Sequence, residues 1–200
     1  MNGTGLSYFD ELYAASDDPW LMQQRWYERR KRDLVMASLP RERYQLAFEP
    51  GCGNGYLTAA LARRCERLLA SDFSTDAVRL ARSRLGDAGH VTIECQHVPH
   101  AWPAGRFDLV VLSEFGFYLD DAELALLQRR SVDALADDGV LLACHWRRPF
   151  AERTQDSDAI HEWFSRQPQL TRIAHHEEAD FLLDVWSRQP ASVAQAEGFA

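Results

Sequence analysis

The stretch Glu49-Pro50-Gly51-Cys52-Gly53-Asn54-Gly55 decides the fold of this 200-residue chain. A predicted strand, 45–49, runs into it, and a predicted helix, 56–62, follows it. Glycine lets the chain turn tightly between a strand and a helix, and it lets a ligand contact the backbone. The stretch therefore predicts a nucleotide-type cofactor site at the end of a strand.

The spacing of these glycines separates the possible cofactors. It is G-x-G-x-G, whereas dinucleotide-binding folds typically use G-x-G-x-x-G, and no phosphate-binding lysine follows. The carboxylate of Glu49 would repel a pyrophosphate, but it would tolerate the positive sulfonium or amino group of S-adenosylmethionine. The sequence thus favours a methyl donor, with an NAD-dependent oxidoreductase as a rival interpretation.

Asp72 ends the next predicted strand, 67–72, roughly 20 residues after the loop, as an adenosine-binding fold requires. A carboxylate can accept hydrogen bonds from both ribose hydroxyls. The alternative is that Asp72 only caps the following turn with Ser74. The residues predicted to bind the cofactor from the loop and the strand ends are Glu49, Gly51, Cys52, Gly53, Gly55, Asp72, Phe73, Gln96, His97 and Ser113.

Strands and helices alternate along the chain, which predicts a parallel sheet with right-handed crossovers in one α/β domain, 1–200. Two late strands, 171–176 and 181–186, read as an antiparallel pair. Further predicted strands are 91–95, 107–113 and 140–145, and further predicted helices are 75–85, 121–135 and a segment from Pro19 to about Ser38. Three flanking parts complete the domain: an N-terminal helical cover over the cofactor, 1–40, an insert or lid near the acceptor site with a short helix, 147–168, and a tail, 188–200.

Composition and charge exclude several classes of function. The net charge of −8 argues against a broad nucleic-acid-binding face. No apolar run approaches the roughly 20 residues that span a bilayer, and the first residues do not resemble a signal peptide, so we expect a cytoplasmic protein without membrane contact. The four cysteines are scattered without a C-x-x-C pair, so no metal site is predicted. Lys31, the single lysine, lies in a very polar stretch and is discounted for Schiff-base chemistry.

The loop, Asp72 and the strand Phe107-Asp108-Leu109-Val110-Val111 together resemble class I S-adenosylmethionine-dependent methyltransferases. Flanking motifs resemble one branch, the nodulation protein S (NodS-like) family. These motifs are Asp18-Pro19-Trp20, Trp26-Tyr27-Glu28-Arg29-Arg30-Lys31-Arg32, Ser113-Glu114, Cys144-His145-Trp146-Arg147 and Phe181-Leu182-Leu183-Asp184-Val185-Trp186.

The resemblance implies an α/β Rossmann-like fold: a mostly parallel seven-stranded sheet with a C-terminal antiparallel hairpin and helices on both faces. It implies S-adenosyl-L-methionine as cofactor and S-adenosyl-L-homocysteine as product. It also implies N-methylation of an amino-sugar, such as a deacetylated chitooligosaccharide in the founding member. We therefore expect a small-molecule acceptor and a monomer or homodimer. O-methylation is the nearest rival, and it would require a stronger base or a metal.

Three residues are candidates for handling the acceptor's proton, because an amine must lose a proton before it attacks the methyl carbon. Glu114 follows the fourth strand, His145 ends the fifth, and His161 lies on the insert helix. Each has a simpler interpretation: an ion pair with an arginine for Glu114, a hydrogen-bonded structural histidine for His145, and a solvated surface residue for His161.

The resemblance extends to residues around the cofactor and the acceptor. The N-terminal helix would cover the cofactor, so Trp20 and Arg30 join the predicted cofactor-binding residues, with Arg30 pairing the methionine carboxylate. Alternatively, Trp20 packs the helix and the arginines are solvated. Gln96 stands where many relatives carry an acidic residue near the adenine. Predicted walls of the acceptor pocket, which could equally be core, are Phe115, Phe117 and Tyr118.

Overall fold

The computed structural model describes residues 3–199, and in residues 3–7 only the backbone. The helices are α1 (Gly3–Ala15), α2 (Trp26–Ser38), α3 (Tyr56–Ala62), α4 (Thr75–Leu85), α5 (Asp121–Asp133), α6 (Ser157–Ser165) and α7 (Val193–Ala196). The strands are β1 (Ala47–Pro50), β2 (Leu68–Asp72), β3 (Val91–Cys95), β4 (Phe107–Ser113), β5 (Leu135–Trp146), β6 (Thr171–Glu177) and β7 (Phe181–Ser187). A single 3₁₀ turn, Gly116–Tyr118, follows β4.

The seven strands form one sheet in the order β3-β2-β1-β4-β5-β7-β6. Strands β1 to β5 are parallel, and β7 runs antiparallel to both β5 and β6. The predicted parallel sheet with a C-terminal antiparallel hairpin is confirmed. The chain moves outward from β1 to β3 and then returns to β4 beside β1, and such a reversal opens a crevice beyond the carboxyl ends of the strands.

The sheet has a core on both faces because residues of β4 alternate between them. Val110 and Leu112 pack in one buried cluster, whereas Leu109 and Val111 pack in the other. A strand covered on both faces reads as a continuous apolar run, as β4 does in the sequence. No helix among residues 3–199 is long and apolar enough to cross a membrane.

The N-terminal region differs from the prediction of one helix from Pro19 to Ser38. The structure has α1 before this region and starts α2 only at Trp26. Leu21 has a φ of +56°, which a right-handed helix cannot accommodate. Asp18 caps a separate turn by accepting a hydrogen bond from the Met22 N–H at 2.9 Å. The predicted tail also contains the short helix α7.

Candidate active site

A cavity of about 400 Å³ lies beyond the carboxyl ends of β1, β2 and β4. It is lined by the N-terminal segments, the glycine loop, the strand ends and the start of the insert. Most of the predicted cofactor-binding residues line it: Trp20, Glu49, Gly51, Cys52, Gly53, Asp72, Phe73, Gln96 and Ser113. Gly55, His97 and Arg30 do not.

The glycine loop is shaped by close contacts that a side chain would prevent. Gly51 has a φ of +71°, and a Cβ atom there would lie 3.0 Å from the ring of Phe115. Gly55 has a φ of +83°, and its Cβ would lie 2.9 Å from the Cα of Ala81, on helix α4. Gly55 therefore permits close packing of α3 on α4, which corrects its predicted contact with the cofactor.

Asp72 caps the turn after β2, the simpler of its two predicted roles. Its Oδ2 accepts a hydrogen bond from the Gly53 N–H at 2.9 Å, and its Oδ1 accepts one from the Ser74 N–H at 3.0 Å. Burial raises its pKa, although the hydrogen bonds from Ser74 and Gly53 oppose the rise. Each carboxylate oxygen has a second lone pair, so a side chain that caps the turn can still accept ribose hydroxyls.

Glu49 brings a buried carboxyl group to the cavity. It is 2% exposed, and its Oε2 has no hydrogen-bond partner among the described residues. Burial raises the pKa of Glu49 to about 8, an effect that a nearby Asp72 increases and the Thr58 hydroxyl opposes. A positive group in the cavity would satisfy this oxygen, so Glu49 fits the amino group of S-adenosylmethionine better than a phosphate.

Aromatic rings of the N-terminal segments form one wall of the cavity. Phe9 lies with its ring centroid 5.3 Å from that of Phe73 and 5.0 Å from that of Tyr118. The Trp20 ring packs edge-to-face with Tyr13 and at a tilted angle against Phe9. Helix α1 thus contacts Phe73 and Tyr118, which follow two different strands; it lies within the predicted helical cover, 1–40, although no separate helix was predicted before Pro19.

The prediction for Arg30 is corrected by its position on α2. Its guanidinium pairs with Glu178, between β6 and β7, at 2.6 Å and lies outside the cavity. Arg25, just before α2, is the arginine that lines the cavity. Because α2 begins at Trp26, the side chain of Arg30 faces the terminal hairpin instead of the cofactor end.

His97 lies behind the cavity wall and not in it. Its Nε2 is 3.8 Å from Glu123 Oε1 on α5, and His100 Nε2 is 3.3 Å from the same oxygen. The possible ligand atoms of these three residues lie within 4.8 Å of one another, close enough to hold a metal ion. The sequence showed no metal-ligand spacing here because Glu123 is distant along the chain from the two histidines.

Glu114 lines the cavity and has a backbone φ of +53°. Its Oε1 accepts a hydrogen bond from Lys31 Nζ at 2.7 Å, and its Oε2 accepts one from the Trp146 N–H at 2.9 Å. The simpler interpretation of an ion pair is therefore correct in kind, with lysine in place of arginine. The pair is itself part of the cavity wall, because both residues line it.

Lys31 is buried between two carboxylates. Its Nζ lies 3.1 Å from Glu28 Oε2 and 4.9 Å from the ring centroid of Tyr27. Burial alone would lower the pKa of Lys31, but Glu114 and Glu28 hold it above its ordinary value. The amine stays protonated and cannot act as a nucleophile. A polar stretch that looked solvated therefore contributes to the site, and the i,i+3 spacing of Glu28 and Lys31 was its one local signal.

Further aromatic residues line the same cavity. Phe117 and Tyr118 pack against Phe150 of the insert, with ring centroids 5.2 and 5.6 Å apart. Trp146 contacts Tyr27 edgewise at 5.7 Å. All of these residues line the cavity, as does Phe115. The first part of the predicted insert thus contributes Phe150 and Glu152 to the cavity wall.

His145 and His161 are both buried and do not line the cavity. His145 Nδ1 lies 2.9 Å from His161 Nε2, and His161 Nδ1 lies 2.7 Å from Asp184 Oδ2. Burial, together with neighbouring positive groups, lowers the pKa of His145 well below its ordinary value. The expectation that either ring takes the acceptor's proton is therefore wrong. His145 faces away from the cavity, and α6 packs on the sheet instead of closing over it.

The sheet order, the glycine loop and the carboxylate that ends β2 define a class I S-adenosylmethionine-dependent methyltransferase. The family model for nodulation protein S (NodS) matches residues 10–154. The chain belongs to this family. Nodulation protein S of Rhizobium tropici is 31% identical over 130 residues, which cover 64% of this chain and 55% of that protein. The chain thus matches little more than half the length of this relative.

Solved methyltransferase structures share this fold. The N-methyltransferase NodS from Bradyrhizobium japonicum WM9, in complex with S-adenosyl-L-homocysteine, superposes with a TM-score of 0.82 at 23% identity, covering 91% of this chain and 97% of that one. A crystal structure from Pseudomonas syringae, assigned as a methyltransferase, is 51% identical with a TM-score of 0.73, covering 82% and 99% of the two chains.

Proposed function

We propose that this protein transfers the methyl group of S-adenosylmethionine to an amine nitrogen of a small molecule, with an amino-sugar as the preferred acceptor. The observation that carries the proposal is that the Glu114 carboxylate and the rings of Tyr118, Trp146 and Phe150 line the same cavity; we assign this part of the cavity to the acceptor and call it the acceptor end. Carboxylates and aromatic faces both attract an ammonium group. The NodS structural relative is an N-methyltransferase, which supports the same reaction here.

The residues that would hold the cofactor follow from the geometry of the other end. Asp72 would accept the ribose hydroxyls, Glu49 would pair with the amino group, and Gln96 would meet the adenine edge. Arg25 is the candidate partner for the methionine carboxylate. When bound, S-adenosylmethionine supplies a methyl carbon that a positive sulfur already activates.

The chain's own part in the reaction is to bind, deprotonate and align the amine. An amine that enters as ammonium has to lose a proton before it attacks. Glu114 is held in place by Lys31 and by the Trp146 N–H, so its carboxylate is fixed where it can accept a hydrogen bond and then a proton from the amine. The surrounding rings exclude water and restrict the approach of the nitrogen, which favours an aligned encounter.

An acceptor panel tests this proposal. Purified protein is incubated with S-adenosylmethionine and an amino-sugar, its N-acetylated counterpart or a sugar with hydroxyl groups only, and the release of S-adenosylhomocysteine is measured. We expect methyl transfer to the free amine alone. Transfer to the hydroxyl sugar would favour the O-methyltransferase alternative. Calorimetric binding of NAD, without binding of S-adenosylhomocysteine, would contradict the proposed cofactor.

A further inference from the structure

A buried chain of hydrogen bonds joins β7, α6, β5 and the turn Gly116–Tyr118. The Gly116 N–H donates to His145 Nε2 at 3.3 Å, so this nitrogen accepts and the proton of the ring sits on Nδ1. That Nδ1–H donates to His161 Nε2 at 2.9 Å, which leaves the His161 proton on Nδ1 for Asp184 Oδ2 at 2.7 Å. One arrangement of protons satisfies every bond, with two neutral rings and one carboxylate.

Asp184 anchors this chain. It is fully buried, and its Oδ1 accepts a hydrogen bond from His175 Nδ1 at 2.8 Å. Burial alone would raise the pKa of Asp184, but the hydrogen bonds from His161 and His175 hold it below its ordinary value. The carboxylate therefore stays ionised and fixes the orientation of His161, which in turn fixes His145.

The other end of the chain is a wall of the cavity. Phe117 and Tyr118 directly follow Gly116 and line the acceptor end, and the Phe117 ring lies 5.5 Å from that of His145. The insert secures the turn from its other side, because the Phe117 carbonyl accepts a hydrogen bond from the Thr154 N–H at 2.9 Å. The turn packs closely against the imidazole, since a Cβ on Gly116 would lie 3.4 Å from His145 Nε2.

We propose that Asp184, His161 and His145 are positioning residues that hold the turn Gly116–Tyr118, and with it the aromatic wall, in the place that the acceptor requires. None of the three touches the cavity. This inference rests on the proposed function, because the acceptor that the aromatic wall receives is taken to be an amine. A merely structural role would lower stability without changing how the acceptor binds, so the two possibilities are separable.

The test compares H145F, which fills the volume but leaves two hydrogen bonds unmade, with H145Q, which offers both an acceptor and a donor. We expect H145F to raise KM for the amine by about tenfold or more, because small misplacements in an aligned site are costly. The Kd for S-adenosylhomocysteine should stay within about twofold. H145Q should restore most of the KM. The control is H176Q, a histidine on β6 that pairs with Glu178 outside the cavity.

Amide hydrogen exchange at Gly116 provides a readout independent of activity. Protection in the wild type and H145Q, with loss in H145F, supports the proposal. Equal protection in all three, or an unchanged KM in a folded H145F, overturns it. If H145F does not fold, ¹⁵N shifts of the wild-type imidazoles decide: a proton on Nε2 of His145 contradicts the chain of hydrogen bonds. A wild type that methylates no amine overturns the proposed function, and the exchange result then still decides whether the turn is held.

Discussion

Glu49 is the residue whose protonation links the cavity to pH. Its pKa of about 8 exceeds the value of about 4.3 for an exposed glutamate, so the folded protein holds the proton more tightly than the unfolded chain. Stability from this group is therefore greatest at low pH and falls as the pH rises toward 8. The empty folded protein favours protonated Glu49. A bound ligand with a positive group favours the ionised carboxylate instead.

We expect cofactor binding to release a proton and to tighten with pH. Between pH 6 and 7.5, the Kd for S-adenosylhomocysteine should fall by up to about tenfold per pH unit, since ionised Glu49 is the binding form. The predicted pH range ends at 7.5 because the α-amino group of the ligand would lose its own charge at higher pH, since such groups titrate at about 7.7–8.0. Calorimetry in two buffers of different ionisation enthalpy counts the released proton. E49Q should show a flat profile, and the same slope in E49Q would contradict this role.

The proposed role of Glu114 gives a prediction for turnover. E114Q keeps a hydrogen-bonding oxygen for Lys31 or Trp146 but removes the negative charge and the base. We expect kcat/KM for the amine to fall by about 100-fold or more, in the range typical of general base catalysis, with an unchanged Kd for S-adenosylhomocysteine. Steady-state kinetics and calorimetry measure the two quantities. E66Q, in a surface pair with Arg43, is the control, and equal activities would exclude Glu114.

Several residues that line the cavity could be located from the sequence because their signals are local. Glu49, Gly51, Gly53 and Asp72 follow directly from a strand–loop–helix pattern. Arg30 was placed at the cavity because the sequence did not show where α2 begins. The structure starts α2 at Trp26, so Arg30 points away from the cavity while Arg25, before the helix, lines it. The Lys31–Glu114 pair lay beyond sequence reasoning, since helix α2 meets the end of β4 only in the folded chain.

At the scale of the element, the glycine loop depends on backbone conformations that other residues resist. G51A would add a Cβ at a φ of +71° and 3.0 Å from the Phe115 ring. We expect a loss of about 1–3 kcal/mol in stability and a weaker cofactor affinity, as the loop shifts to relieve the contact. Chemical denaturation and calorimetry check both effects.

The control for this variant is G86A, at the end of α4. Gly86 also has a positive φ, +54°, but nothing lies within 4 Å of an added Cβ. It should lose stability and keep its cofactor affinity. An unchanged affinity in G51A would show that the loop binds the cofactor without the close contact to Phe115.

The predicted helices 56–62 and 75–85 and the strands 91–95 and 107–113 are confirmed at both ends. These elements have strong periodicity or a clear boundary residue, such as the Ser74 cap of α4, whose side chain accepts from the Ala77 N–H. The break at Leu21 was missed because part of what holds it is tertiary: Asp18 accepts a hydrogen bond from the Met22 N–H and another from the side chain of Asn54. The packing of α6 had a signal that was not used: Ile160 and Phe164 repeat at i,i+4 and form a buried apolar face.

At the scale of the whole molecule, the cavity joins parts from across the chain. Phe9 of α1 contacts Phe73 after β2 and Tyr118 after β4, so one ring joins the proposed cofactor end to the proposed acceptor end. Phe150 of the insert packs against the same Tyr118 ring. Ligand binding should therefore stabilise the entire domain instead of one loop, and the N-terminal cover of the cofactor stays a prediction that this linkage can test.

We expect S-adenosylhomocysteine at 100 times its Kd to stabilise the folded protein by about 2.7 kcal/mol, which corresponds to a Tm increase of roughly 5–10 °C for a chain of this length. F9A removes the ring that contacts Phe73 and Tyr118, so the increase at the same ligand concentration should be markedly smaller. F199A is the matched control, because Phe199 is 83% exposed and its loss should leave the increase intact. Thermal unfolding with and without ligand measures each shift. Equal increases in F9A and the wild type would mean that α1 packs beside the cavity without covering the cofactor.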